Sequence, residues 1–181
     1  MKTNCEFVWL FGTSAVGKNT FINKLKNNEA LRNRFALNNV VVCQESLKLV
    51  GDKCPTNDTR NILIEVISKM PKDNKSVLIK GQSVDLYDNK LHEKLKESYP
   101  SGIHKIILLW VEPSELVRRW QKRAIENPGW RDWGDGSNAL ERCTNAQNEQ
   151  LKTIRALENS FEVIYINSTD EEYRSLDVNL V

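Results

Sequence analysis

The sequence predicts an α/β fold in three layers: a five-stranded parallel sheet with helices on both faces. Two observations lead there. Five short apolar runs alternate with stretches of helical spacing, and a glycine-framed loop directly follows the first run. Runs that are apolar throughout suit strands buried on both faces, and strand–helix alternation gives parallel pairing with right-handed crossovers.

The strands are expected at "FVWLFG" (7–12), "VVVCQ" (40–44), "SVLIKG" (76–81), "KIILLWV" (105–111) and "FEVIYIN" (161–167). Between the second and third, Leu63, Ile64, Ile67 and Met70 mark one face of a helix that ends before Pro71. A weaker helix carries Leu86, Leu91 and Leu95. After the fourth strand, Leu116, Val117, Trp120 and Ala124 form the apolar stripe of a helix opened by "EPSEL", with Pro113 in its first turn. A last helix opens near "GSNALE", where Ser137 or Asn138 can cap it and Glu141 can bond back. It is expected to carry Leu140, Cys143, Leu151, Ile154 and Leu157 inward. The segment "ENPGWRDWGDGS" (126–137) reads as the mobile connection between these two helices.

Composition is that of a globular chain, with 40% hydrophobic and 28% charged residues among 181. The net charge of +2, 26 basic against 24 acidic residues, neither demands nor repels a nucleic acid. The longest apolar run, Ile106 to Val111, is far short of the ~20 residues a membrane span needs, so no membrane partner is expected. "MKTNCEF" leads into a strand and does not read as a secretion signal. Cys5, Cys43, Cys54 and Cys143 are scattered, which suits reduced thiols in a cytoplasmic protein.

The chemistry begins at "LFGTSAVGKNTFI" (10–22), which has the G-x-x-x-x-G-K spacing of a Walker A loop in Gly12, Gly17 and Lys18. Glycines let backbone N–H groups wrap a phosphate, and the helix opening near Gly17 adds its positive end. Lys18 would reach the β- and γ-phosphates. The nucleotide-binding set is therefore Gly12, Thr13, Ser14, Ala15, Val16, Gly17, Lys18, Asn19 and Thr20. Asn19 stands where Ser or Thr usually holds Mg²⁺; its carbonyl could serve that ion, or water could take the place.

"GTSAVGKNT" resembles the P-loop of the small kinases: nucleoside monophosphate kinases, the shikimate and gluconate kinase types, and polynucleotide kinase. Several of these carry a non-hydroxyl residue after the lysine and then a threonine, as Asn19 and Thr20 do here. The resemblance implies a P-loop kinase fold in a single domain, 1–181, with a short lid at approximately 124–137. It implies ATP and Mg²⁺ as cofactors and a Thr20 hydroxyl contact to the α-phosphate. The loop after the last strand touches the base in those kinases, which makes Ser168 and Thr169 candidates here.

The third strand, "SVLIKGQS", resembles a kinase strand that ends in an acid followed by Gly. Lys80 stands where that acid would be, with Gly81 matching, and Asp85 or Glu45 could substitute as the metal-supporting carboxylate. Lys80 and Gln82 then face the substrate phosphate or hydroxyl. Glu45 matches the position of the acid that accepts the acceptor's proton, with Asp85 as its rival.

Arg119 and Arg123 lie four apart on one helix face, and Arg131 lies beyond. Arginines closing over a transferring phosphoryl group stabilise its charge, and the resembling kinases place them in a lid after the fourth strand. The alternative for this pair is a solvated basic face. Trp130 and Trp133 either stack on a nucleobase or pin the lid, whereas Trp120 reads as core. Arg60 is a candidate anion clamp in the acceptor site, and Tyr87 could contribute there.

The function these readings imply is an ATP-dependent phosphotransferase moving the γ-phosphate to a hydroxyl or phosphate. The leading acceptor is a nucleoside or nucleotide, free or within a nucleic acid. Alternatives are a small-metabolite kinase of the shikimate or gluconate type, or a non-catalytic or regulatory P-loop protein. A GTPase switch would need N-K-x-D after a strand; "NKLH" (89–92) has His92 instead.

Overall fold

The computed structural model describes residues 6–37, 40–42, 76–80, 97, 100, 102–128 and 138–176. The expected helices over 63–70 and 86–95, the cap Ser137 and the segment 129–137 lie outside these. So do Glu45, Arg60, Gln82, Asp85, Tyr87, Trp130, Arg131 and Trp133, along with Cys5, Cys43 and Cys54.

Strand β1 (Glu6–Phe11) leads into α1 (Lys18–Asn27) and the short α2 (Glu29–Arg34). Next come β2 (Val40–Val42), β3 (Ser76–Lys80), β4 (Ile103–Trp110), α3 (Pro113–Glu126), α4 (Ala139–Arg155) and β5 (Glu162–Asn167). The strands form one sheet in the order β2-β3-β1-β4-β5, and every pairing is parallel. β1 is central, so its loop and the C-terminal ends of β3 and β4 lie side by side. Register places Leu10 against both Lys80 and Ile107, which sets Lys80 two residues from Gly12 across the sheet edge.

β1, β3 and β4 are buried on both faces, as their unbroken apolar runs require. Phe7, Trp9, Phe11, Val77, Ile79, Ile106 and Leu108 pack on one face with Leu151 and Ile154 of α4. Val8, Leu10, Leu78, Ile107 and Leu109 pack on the other with Phe21, Ile22 and Leu25 of α1 and Leu116 and Trp120 of α3. Burial of side chains such as Trp9 and Trp120 contributes on the order of 2–3 kcal/mol each.

β4 begins two residues earlier than its apolar run suggests, because it pairs along the whole of β1 and carries Ile103 and His104 into the sheet. Lys105 is 7% exposed, and its ammonium meets Glu6 and Glu162 at 3.7 Å each. That pairing offsets the desolvation of the buried ammonium.

Two details of the last helix differ from expectation. Leu140 is 53% exposed, because the buried stripe of α4 runs through Ala139, Cys143, Gln147 and Leu151 at four-residue intervals and Leu140 sits about 100° off it. Asn138 occupies the N-cap position, but its side chain makes no capping hydrogen bond. Among the described residues no helix is long and apolar enough to cross a membrane. Burial pushes the Cys143 thiol up to about 11, so it stays protonated and unreactive at neutral pH.

Candidate active site: the phosphate-binding loop and its cationic cleft

The loop between β1 and α1 alternates backbone handedness. Gly12, Ala15 and Gly17 take φ of +146°, +61° and +109°. Such alternation is the backbone shape of an anion nest, in which successive N–H groups curl towards one side. α1 then starts at Lys18 with Gly17 as its cap, no side-chain cap and no acid in its first turn. Its first N–H groups lack intrahelical acceptors, and its positive end is not offset by a carboxylate.

Gly12 is required by space as well as by φ. A Cβ there would stand 2.6 Å from Val16 Cγ1 and 2.9 Å from Leu109 O, and Val16 is fully buried. Gly12→Ala is expected to destabilise the protein by about 2–4 kcal/mol, seen as a melting temperature roughly 5–15 °C lower. An unchanged melting curve would show that the loop is not held in this conformation.

α3 holds the loop from outside. Trp120 Nε1 donates to Ser14 O at 2.8 Å, and Arg119 Nη1 donates to Val16 O at 2.8 Å. Arg119 also reaches Ser168 Oγ at 3.1 Å and Ser168 O at 3.4 Å, while its Nε meets Glu115 at 2.9 Å. One guanidinium therefore ties the loop after β1 to the loop after β5. The Arg118 and Arg119 guanidiniums hold the Glu115 carboxyl down at about 2, so these pairs persist across the ordinary carboxylate range. Gln147 of α4 secures the same region, donating to Val111 O at 2.6 Å.

Lys18 folds over the loop, its ammonium donating to Gly12 O and, at 2.9 Å, to Thr13 O. Burial, then the positive charges of Lys80 and Arg123, lowers its pKa to about 8. Lys80 Nζ donates to Asn19 Oδ1 at 2.7 Å, the amide oxygen that the sequence reading offered to Mg²⁺. An ammonium and a dication compete for that oxygen.

These side chains open onto a cleft of about 380 Å³. Among the described residues it is lined by Lys18, Lys80, Arg119, Lys122 and Arg123 with one acid, Glu126. A larger cleft of about 590 Å³ lies between α1, α2 and the loop after β5. There Lys24 and Arg34 are matched by Glu171 and Glu172, two against two. For a polyphosphate the charge balance of the described lining residues favours the smaller cleft.

Of the residues singled out in the sequence, the structure gathers Ser14, Ala15, Gly17, Lys18, Asn19, Thr20, Lys80, Arg119 and Arg123 around that cleft. Thr20 lines both clefts and so sits between them. Ser168 touches Arg119, whereas the Thr169 hydroxyl turns back to Asn167 Oδ1 at 2.7 Å. Sequence reasoning did not pick out Glu115 or Lys122. The signal for Glu115 was spacing, since it stands one turn before Arg119 as Arg119 stands before Arg123.

No protein-family model and no curated protein matches the chain. Solved structures do share its fold. A provisionally assigned kinase from Chloroflexus aurantiacus j-10-fl is 17% identical with a TM-score of 0.57, over 98% of this chain and 95% of that one. A chain of the PezAT chromosomal toxin–antitoxin system of Streptococcus pneumoniae is 15% identical with a TM-score of 0.54, over 96% of this chain and 72% of that one. A gluconokinase from Sinorhizobium meliloti 1021 aligns at 16% identity with a TM-score of 0.47, over 94% and 87% of the two chains. The likeness to the first two, at TM-scores above 0.5, shows a common α/β architecture and says nothing of substrate.

The described residues of the cleft do not by themselves fit a metal held directly by the protein. Its cationic lining opposes a dication, and Lys80 already engages the Asn19 oxygen.

Proposed function

We propose that the chain is a P-loop kinase of one domain, with a lid over approximately 124–137, that transfers the γ-phosphate of ATP to an acceptor hydroxyl or phosphate. One observation carries the reading: five cationic side chains converge where the loop and the N-terminus of α1 open. A neutral ligand would gain nothing from them, and a triphosphate suits both their number and the nest beside them.

In this reading the loop, Gly12 to Thr20, binds the phosphates, and Lys18 swings from its carbonyl partners onto the β- and γ-oxygens. Ser168 and Thr169 approach the nucleoside. Arg119 fixes the loop; Arg123, joined by Arg131 from the lid, meets the charge that spreads over the transferring oxygens. Glu45, or Asp85 in its stead, takes the acceptor's proton. Arg60, Lys80, Gln82, Tyr87, Trp130 and Trp133 form the acceptor side. Any Mg²⁺ arrives on the nucleotide with its waters.

The acceptor we favour is a nucleoside or nucleotide, a reading that rests on the tryptophans of the lid sequence. Transfer of label from [γ-³²P]ATP, offered to nucleosides, nucleotides, DNA and RNA ends and small hydroxy acids, tests it. Label on a nucleoside or nucleotide supports the reading, and label on a hydroxy acid alone corrects the acceptor. ATP binding with no labelled acceptor and no hydrolysis would point instead to a non-catalytic nucleotide module.

Arg123→Ala is expected to lower kcat about 100-fold while ATP affinity changes less than about threefold. An unchanged kcat would remove Arg123 from the reaction.

A further inference from the structure

The pairing of Lys80 with Asn19 joins two departures that lie 61 residues apart in sequence. Asn19 is the second residue of α1, at the mouth of the loop, and Lys80 ends β3 beside Leu10. Their contact, at 2.7 Å, is a charge-assisted hydrogen bond between an ammonium and an amide oxygen. The bond holds the Lys80 charge close enough to Lys18 to depress that ammonium's pKa. A fixed positive charge therefore stands beside the residue that reaches the terminal phosphates.

Resting on the nucleotide-binding reading above, we infer that the Lys80 ammonium is the cleft's resident cation. From the acceptor side it faces the terminal phosphate and fills the place that a protein-held Mg²⁺ would otherwise take, so the site binds nucleoside triphosphate without needing any Mg²⁺ that accompanies it in the reaction. Three observations agree. The amide oxygen of Asn19 is committed to an ammonium, the β3 terminus carries a cation, and Arg119, Lys122 and Arg123 add further positive charge. Metal-free triphosphate carries more negative charge than its magnesium complex, so such a cleft favours it. Lys80 is a point charge with three rotatable donors, able to keep Asn19 and still turn an N–H to a phosphate oxygen.

Calorimetric titration with a non-hydrolysable ATP analogue, once with EDTA and once with excess Mg²⁺, tests this without any turnover. Wild type should bind the metal-free analogue no more than about threefold more weakly than the magnesium complex. Lys80→Met should weaken metal-free binding about tenfold or more, and Lys80→Asp should make binding depend on Mg²⁺. Wild-type binding that needs Mg²⁺ by about thirtyfold or more would overturn the inference and leave the nucleotide site standing. Metal-free binding unaltered in both variants would do the same. No binding in either condition would overturn both readings. If the variants fail to fold, the wild-type comparison alone decides.

Discussion

Lys18→Met is expected to abolish phosphoryl transfer, by about 10³-fold or more, while the protein melts at a higher temperature than wild type near neutral pH. The two effects share one cause. Burial and the charges of Lys80 and Arg123 lower the Lys18 pKa from 10.5 to about 8, so its charge is a burden on the unligated fold. Methionine keeps the length and removes the charge, a gain of about 1 kcal/mol or roughly 2–4 °C after discounting for the two carbonyl bonds lost.

The sign with pH follows. Between about pH 8 and 10.5 the unfolded chain holds a proton on Lys18 that the folded protein has released. Stability contributed by this group therefore rises with pH across that window. The gap between Lys18→Met and wild type should narrow above pH 8. A bound triphosphate restores the proton, so ATP affinity should fall about fivefold from pH 8 to pH 9 in wild type and stay flat in the variant. Differential scanning calorimetry and titration calorimetry at the two pH values read these changes. A variant that melted lower at every pH would contradict the assigned burden.

Arg119→Ala is the second large effect, and it should move stability and activity together. The guanidinium, 22% exposed, joins Glu115, Val16 O and both oxygens of Ser168. Its removal frees the loop after β1 from the loop after β5 and leaves Val16 O without that donor. The expected loss is about 1–3 kcal/mol, a melting temperature roughly 3–9 °C lower, with kcat/KM down about 100-fold. Arg119→Lys should not restore activity, because one ammonium does not reproduce a planar fork that spans three partners. Restored activity with lysine would reduce Arg119 to a simple charge. The contrast is with Arg123, whose expected effect is on turnover.

The parts of the site legible in the sequence are those written locally. Gly12, Gly17 and Lys18 declare the loop by spacing alone, and five apolar runs declare the sheet. The links that shape the site are long-range and mostly end on backbone oxygens, which carry no side-chain signature. Trp120 reads as core from its stripe, and it is buried, yet its indole N–H also holds Ser14 O from 106 residues away. Arg119 spans 103 residues to Val16 O. Asn19 and Lys80 each stood out as departures, but nothing local could show them to be partners. Leu140 misled because an apolar residue beside the buried stripe of α4 looks the same, in sequence, as one on it.

A polyphosphate is expected to enter the cationic cleft and not the larger one. An NMR titration of the ¹⁵N-labelled protein with tripolyphosphate tests it most directly, because the probe carries no base, sugar or acceptor. Amide shifts should concentrate at residues 12–20, with further shifts around Arg119 to Arg123 and at Ser168. Shifts confined to Asn23–Arg34 and Glu171–Glu172, or no saturable shift at all, would contradict it.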